Sequence, residues 1–239
     1  MNTPRISLLD QTREPERVVA CAARTCYTAE PLATIGDGLT DATAAKLIRK
    51  IIGMGHLSVL EHASFTFGIE GVSRVTSHQL VRHRVASWSQ RSQRYVRHAE
   101  AGEIVVPPTV AADPALETAF TRASRAAFAA YRSLLAAGVP AEDARYLLPN
   151  GTTTSLVMTM NARELRHFMA LRTCNRAQWE IRDVAIAILR LCREAAPALF
   201  ADAGPGCLTG PCPEGAMTCG KRAAVRRFFA GLVPKEKES

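Results

Sequence analysis

Two hydrophobic periods run along the chain and divide it into elements. Residues 6–9 form a short apolar run that predicts a strand. Residues 14–23 predict a helix. Residues 41–54 predict a second, with Asp41 as N-cap and Gly53 and Gly55 as its stop. Over 63–69, small or polar residues alternate with Phe65, Phe67 and Ile69, the pattern of a half-buried strand. Residues 72–82 predict a helix. Residues 114–137 predict a long one, ended by Gly138 and Pro140. The β-branched stretch 152–160 predicts a strand. The clearest helix covers 176–200. There Ile181, Val184, Ala185, Ile188, Leu191, Cys192, Ala195 and Leu199 share one face, and Arg182, Asp183, Arg190, Arg193 and Glu194 take the other.

Helices mixed with a few separated strands predict an α+β fold, a central and mostly antiparallel sheet flanked by helices. With 239 residues and 47% hydrophobic positions, one domain with a real core is expected, over 1–203. A Gly/Pro/Cys-rich and then basic tail follows, over 204–239. No internal repeat is visible. No stretch approaches the roughly 18 apolar residues of a membrane span. The apolar run after Met1 is too short for a signal-peptide core. The expectation is a cytoplasmic protein that does not meet the membrane, with its seven Cys as thiols or metal ligands rather than disulfides.

The formal net charge is +8 and the sequence pI about 9.4. That balance favours phosphates, nucleotides or nucleic acid as partners, although a basic residue pool dominated by Arg also follows from biased genome composition. One window sharpens the picture. Between Gly71 and Ala99 there is no acidic residue, while Arg74, Arg82, Arg84, Arg91, Arg94 and Arg97 stand with His78, His83 and His98. Arg suits forked contacts to phosphate and to carbonyl-bearing rings. Val81, Val85, Ala86 and Trp88 are interleaved, so part of the window is buried. On a helix, residues 82, 83 and 84 would point in three directions. Such a run fits a place where the chain leaves a helix and wraps a ligand. By composition alone, an anion site and a solvated basic face remain equal readings.

The order of residues goes further. Arg82-His83-Arg84, then seven residues, then Ser92, continued by Arg94-Tyr95, resembles the motif of the flavin-dependent thymidylate synthases. Other blocks follow that family's order: 56–62 (His-Leu-Ser-Val-Leu-Glu-His), Gln79, 142–149 with Ala144-Arg145 and Leu148-Pro149, 161–165, Leu171-Arg172 and 177–181. The likeness extends from Ala22 to about Phe200.

The resemblance implies a thymidylate synthase-complementing-protein-like fold. It also implies reductive methylation of dUMP, with methylenetetrahydrofolate as carbon donor, FAD as cofactor and hydride donor, and NADPH as reductant. It implies FAD contacts from His56, Ser58, Arg82, His83, Arg84, Gln90, Asn161, Ala162, Arg163 and His167. For dUMP it implies Gln79, Leu80, Val81, Arg82, Gln90, Arg91, Ser92, Gln93, Arg94, Arg145 and Arg172, with Arg172 as the catalytic residue. It implies a homotetramer whose sites are shared between subunits, no metal in the active site, and no nucleic acid partner. Residues in this chain depart from the family's usual ones at Ser89 and Gln90 (often Asn and a carboxylate), at His167 (often Asn) and at Arg176 (often His). A neutral amide at Gln90 still hydrogen-bonds, but carries no charge.

Several of these residues have plainer readings. His56 and His62 can satisfy backbone groups, Asn161 can be a helix N-cap, and Arg145 and Arg163 can be ion-pair partners of the nearby Glu142 and Glu164. Arg172 can be a cation at a helix C-terminus. Two other functions compete: a basic nucleic-acid-binding protein that stacks bases on Trp88 and Tyr95, and a flavin- and folate-dependent methyltransferase of RNA uridine. In the tail, Cys207, Cys212 and Cys219 lie among turn residues. They read either as a metal knuckle without an evident fourth ligand or as loose free thiols.

Overall fold

The computed structural model describes residues 4–97 and 104–232; His98 and the end of the basic tail lie outside them. Its sheet has four strands in the order β1-β2-β4-β3, with β1 Arg5–Gln11, β2 Ser64–Ser73, β3 Ser87–Gln90 and β4 Thr153–Asn161. The helices are α1 Pro15–Thr25, α2 Asp41–Gly53, α3 Arg74–Leu80, α4 Pro108–Ala111, α5 Pro114–Ala136, α6 Ala141–Ala144, α7 Ala162–Arg172, α8 Trp179–Ala195, α9 Pro197–Phe200 and α10 Arg222–Ala230. Ala162 N–H donates to Ala63, at the start of β2, and Arg74 N–H donates to Thr152 at its end. The pairing of β2 with β4 is therefore antiparallel. The α+β expectation, with a mostly antiparallel sheet, holds.

Three of the differences from the expected boundaries have a clear local cause. The cap of α2 is Thr40, not Asp41: Thr40 Oγ1 accepts from Thr43 N–H, and the Thr43 hydroxyl returns a bond to the Thr40 backbone. The helix expected over 72–82 begins at Arg74, because Val72 and Ser73 complete β2. Ser73 Oγ then caps α3 by accepting from Thr76 N–H at 3.1 Å. The helix expected over 176–200 is two helices. Pro197 bars Ala196 from helical geometry (φ −149°, ψ 71°) and starts α9.

The described chain forms two compact units. One comprises Met1–Arg5, Gly68–Arg82 and Trp88–Val157; the other comprises Ile6–Phe67, His83–Ser87 and Met158–Ser239. In the first, Phe128 and Tyr131 of α5 are fully buried, as are Ile69 and Leu80. In the second, Phe65 meets Phe200 edge to face at 5.4 Å, among the buried Leu60, Leu165 and Ile188. Each such side chain contributes about 2 kcal/mol by leaving water.

The tail belongs to the second unit. Val225, Phe229 and Leu232 are buried. Arg193, expected on the polar face of α8, is instead buried. Its guanidinium donates to the carbonyl oxygens of Phe200, Ala203, Phe229 and Leu232 at 2.8–3.3 Å. The carbonyls need donors, and a guanidinium offers five.

Candidate active site

In the second unit, three residues four apart on α7 meet one buried imidazole. His83, three residues beyond the end of α3, is 5% exposed. Arg172 Nε donates to His83 Nε2 at 3.1 Å. Nε2 must then be the unprotonated nitrogen, so Nδ1 carries the proton and donates to Glu164 Oε1 at 3.2 Å. Phe168 packs edge-on to the ring, centroids 5.0 Å apart, and His167 lies at 6.1 Å. Burial pushes the His83 pKa below 6.5, the Arg172 charge adds to that, and the Glu164 carboxylate opposes it; the net direction is down. The neutral tautomer fixed by hydrogen bonds is thus also the one the surroundings favour. Burial lowers the Arg172 pKa as well.

Local structure sets this up. Asn161 is the N-cap of α7, its Oδ1 accepting from Glu164 N–H at 2.9 Å. The same cap fixes the helix phase that puts residues 164, 168 and 172 on one face. Ligand atoms of His83, Glu164 and His167 also lie within 4.8 Å of one another. That trio makes a poor cation site, because both His83 nitrogens are engaged and Arg172 stands beside it.

Next to this face lies a cleft of about 630 Å³. Asn161, Arg163 and His167 line it from α7. Gly204, Pro205 and Gly206 line it from the tail. Arg166 also reaches it, gripped by both carboxylate oxygens of Asp202 at 2.7 and 3.0 Å. Arg163 pairs with Glu61 rather than with Glu164. Both are about half exposed, so the pair contributes little stability and leaves Arg163 easy to redirect. His56 Nδ1 stands 3.4 Å from the Tyr27 hydroxyl, and Ser58 and Arg84 are exposed.

The nucleotide candidates other than Arg172 stand in the first unit. Arg94 Nε donates to Glu142 Oε2 at 2.8 Å, and Arg145 Nε donates to the Glu142 carbonyl at 3.1 Å. One residue therefore holds both arginines. Burial first, and the nearby Arg145 charge second, lower the Arg74 pKa. Two guanidiniums held that close draw an anion. Gln90 Nε2 donates to Thr154 Oγ1 at 3.2 Å. Ser92 Oγ accepts the Arg94 N–H at 3.1 Å, and Arg91 N–H pairs with Ser155. Gln79 Nε2 reaches Val75 O at 3.3 Å. Val81, Arg82, Arg91 and Arg94 are exposed and Gln93 is half-buried, while Leu80 is wholly buried.

The family model for thymidylate synthase complementing protein matches residues 7–198. A flavin-dependent thymidylate synthase of Geobacter sulfurreducens is 55% identical over 226 residues, covering 94% of this chain and 97% of that protein. The chain belongs to the flavin-dependent thymidylate synthase family. A Clostridium tetani member is 40% identical over 94% of this chain and 96% of its own length. A solved UMP/dUMP methylase, PolB from Streptomyces cacaoi, bound with 5-Br dUMP, superposes with a TM-score of 0.74 at 29% identity. It covers 84% of this chain and 94% of that one.

Within this family member, sequence reasoning missed Glu164 as the partner of His83, and it missed the tail as a wall of the cleft. The first left a signal: positions 164, 168 and 172 share a helix face with the proposed catalytic Arg172. The second left none, because a Gly-Pro-Gly wall offers only backbone. Among the described residues no helix is long and apolar enough to cross a membrane.

Proposed function

We propose that this chain is a flavin-dependent thymidylate synthase. It converts dUMP to dTMP, taking carbon from methylenetetrahydrofolate, with FAD as cofactor and NADPH as reductant. The observation that carries the reading is Arg172 held through Nε by a neutral, buried His83.

The reaction needs C5 of the uracil ring to act as a nucleophile. Loss of the N3 proton spreads negative charge over N3 and both carbonyl oxygens and raises electron density at C5. A fixed guanidinium stabilises that anion, an electrostatic role of the oxyanion-hole kind. His83 fixes the orientation of the planar fork through Nε. Neutral His83 is an acceptor here; a protonated one would repel Arg172. No Cys lies in the nucleotide motif, and Ser92 binds the nucleotide rather than attacking it. Its oxygen is already an acceptor for Arg94 N–H.

The cleft suits FAD: its size lies in the range of cofactor pockets, and Arg163 supplies positive charge. Asn161, Ala162, Arg163 and His167 would hold it, with His56, Ser58, Arg82, His83, Arg84 and Gln90. When bound and reduced, FAD supplies the hydride. In the first unit Gln79, Leu80, Val81, Arg82 and the 90–94 stretch would hold dUMP, with Arg74 and Arg145 drawing its phosphate. Val81, Tyr95, Tyr146 and Leu147 are exposed apolar side chains in those same stretches. They fit burial in a homotetramer whose sites combine subunits. The proposed setting is the cytoplasm.

Arg172→Lys tests the assignment. It keeps the charge but loses the planar fork. The expected protein still binds FAD, read by flavin absorbance, and loses at least about 100-fold in thymidylate formation. Near-normal turnover would remove Arg172 from the chemistry.

A further inference from the structure

Four of the chain's seven cysteines draw together in the second unit, and none of them is among the residues assigned to dUMP or FAD. Cys174 comes just after α7. Cys207, Cys212 and Cys219 come from the segment between α9 and α10. All are free thiols.

Several contacts draw them together. A Cβ added to Gly206 would lie 3.1 Å from Pro213, so the residues next to Cys207 and Cys212 touch. Asn175 Nδ2 donates to Cys219 Sγ at 3.6 Å, which joins the neighbour of Cys174 to Cys219. Arg222 links the two pairs: three residues beyond Cys219, its Nε donates to the Cys207 carbonyl at 3.4 Å. Cys174, which the sequence did not connect with the tail, is the fourth member.

The surroundings suit thiolates. Arg176 N–H donates to Cys174 Sγ at 3.5 Å. Arg222 and Arg226 both donate through Nε to the Cys207 carbonyl, at 3.4 and 3.2 Å. Four thiolates repel one another unless a cationic centre binds them, and these arginines offset the residual negative charge.

Spacing selects the centre. Tetrahedral zinc, about 2.3 Å from each sulfur, holds its sulfurs roughly 3.8 Å apart. Among the described residues, the sulfurs of no three of these cysteines all lie within 4.8 Å of one another. A cubane cluster with one thiolate on each iron holds its cysteines farther apart.

We propose that Cys174, Cys207, Cys212 and Cys219 hold a [4Fe–4S] cluster in the tail, beside the Gly204–Gly206 wall of the cleft. The site rests on the second unit's own fold and does not depend on the thymidylate reading.

The test is iron and acid-labile sulfide analysis of full-length, tag-free protein purified without oxygen, with the Mössbauer spectrum of the same sample. Roughly four iron and four sulfide per chain are expected. Cys174→Ser and Cys219→Ser are each expected to lose more than about half of the iron while FAD absorbance is retained, and Cys26→Ser is expected to lose none. Iron and sulfide both below about one per chain in the unaltered protein would overturn the proposal, whatever the variants do. So would zinc in place of iron, or full iron content in Cys174→Ser with FAD still bound.

Discussion

His83 and Arg172 constrain each other, and the constraint depends on proton count. His83 accepts from Arg172 only while Nε2 is bare. Its pKa is set below 6.5 by burial, and the Glu164 carboxylate is the group that pulls it back up. Replacing Glu164 with Gln keeps an acceptor for Nδ1–H but removes the charge. The His83 pKa then falls further, so the acid limb of kcat/KM moves to lower pH. A limb that stays in place or moves up would contradict the assigned roles. The same group shapes stability. The unfolded His83 takes up a proton near 6.5 and the folded one only at lower pH. Stability contributed by this residue is therefore complete above 6.5 and falls as the pH drops from there to the folded value.

Much of this site was legible as residue identities. Arg82-His83-Arg84, Asn161, Arg163 and Arg172 stand in an order that names them. The pairings were not legible. Arg163 and Glu164 are adjacent, yet they turn to different partners, Glu61 and His83. Adjacent helix residues point about 100° apart, so nearness in sequence argued for the wrong ion pair.

At the scale of elements, periodicity located most helices and strands and failed where a single residue overrode it. Pro197 cut one long apolar stripe into α8 and α9, and Ser73 took the cap that the apolar pattern had placed inside a helix. Arg193 is the instructive failure. The 3.6-residue pattern gave it to solvent, but its partners are four backbone carbonyls, and no sequence pattern marks a carbonyl. Arg193→Met keeps similar bulk and strands those acceptors. The expected cost is about 3 kcal/mol, or roughly 6–12 °C in Tm. The loss should come first in the tail, as faster amide exchange of α10. A Tm within about 2 °C of the unaltered protein would mean that the tail does not depend on this residue.

At the scale of the molecule, the candidate residues sort by unit. Most flavin candidates stand in the second unit around α7 and the cleft. The nucleotide candidates stand in the first unit, where Glu142 holds Arg94 and Arg145, with Arg172 as the exception. The excess of positive charge is consistent with either a nucleotide enzyme or a nucleic-acid binder, and composition never separated them. Family membership and the fixed His83–Arg172 pair favour the enzyme. The decisive measurement supplies purified protein and FAD with free dUMP, methylenetetrahydrofolate and NADPH, and follows dTMP by chromatography. The account predicts dTMP that requires every component and disappears when NADPH or the folate is left out. Absence of dTMP from protein that has bound FAD would contradict it, and so would methylation of RNA uridine in place of free dUMP.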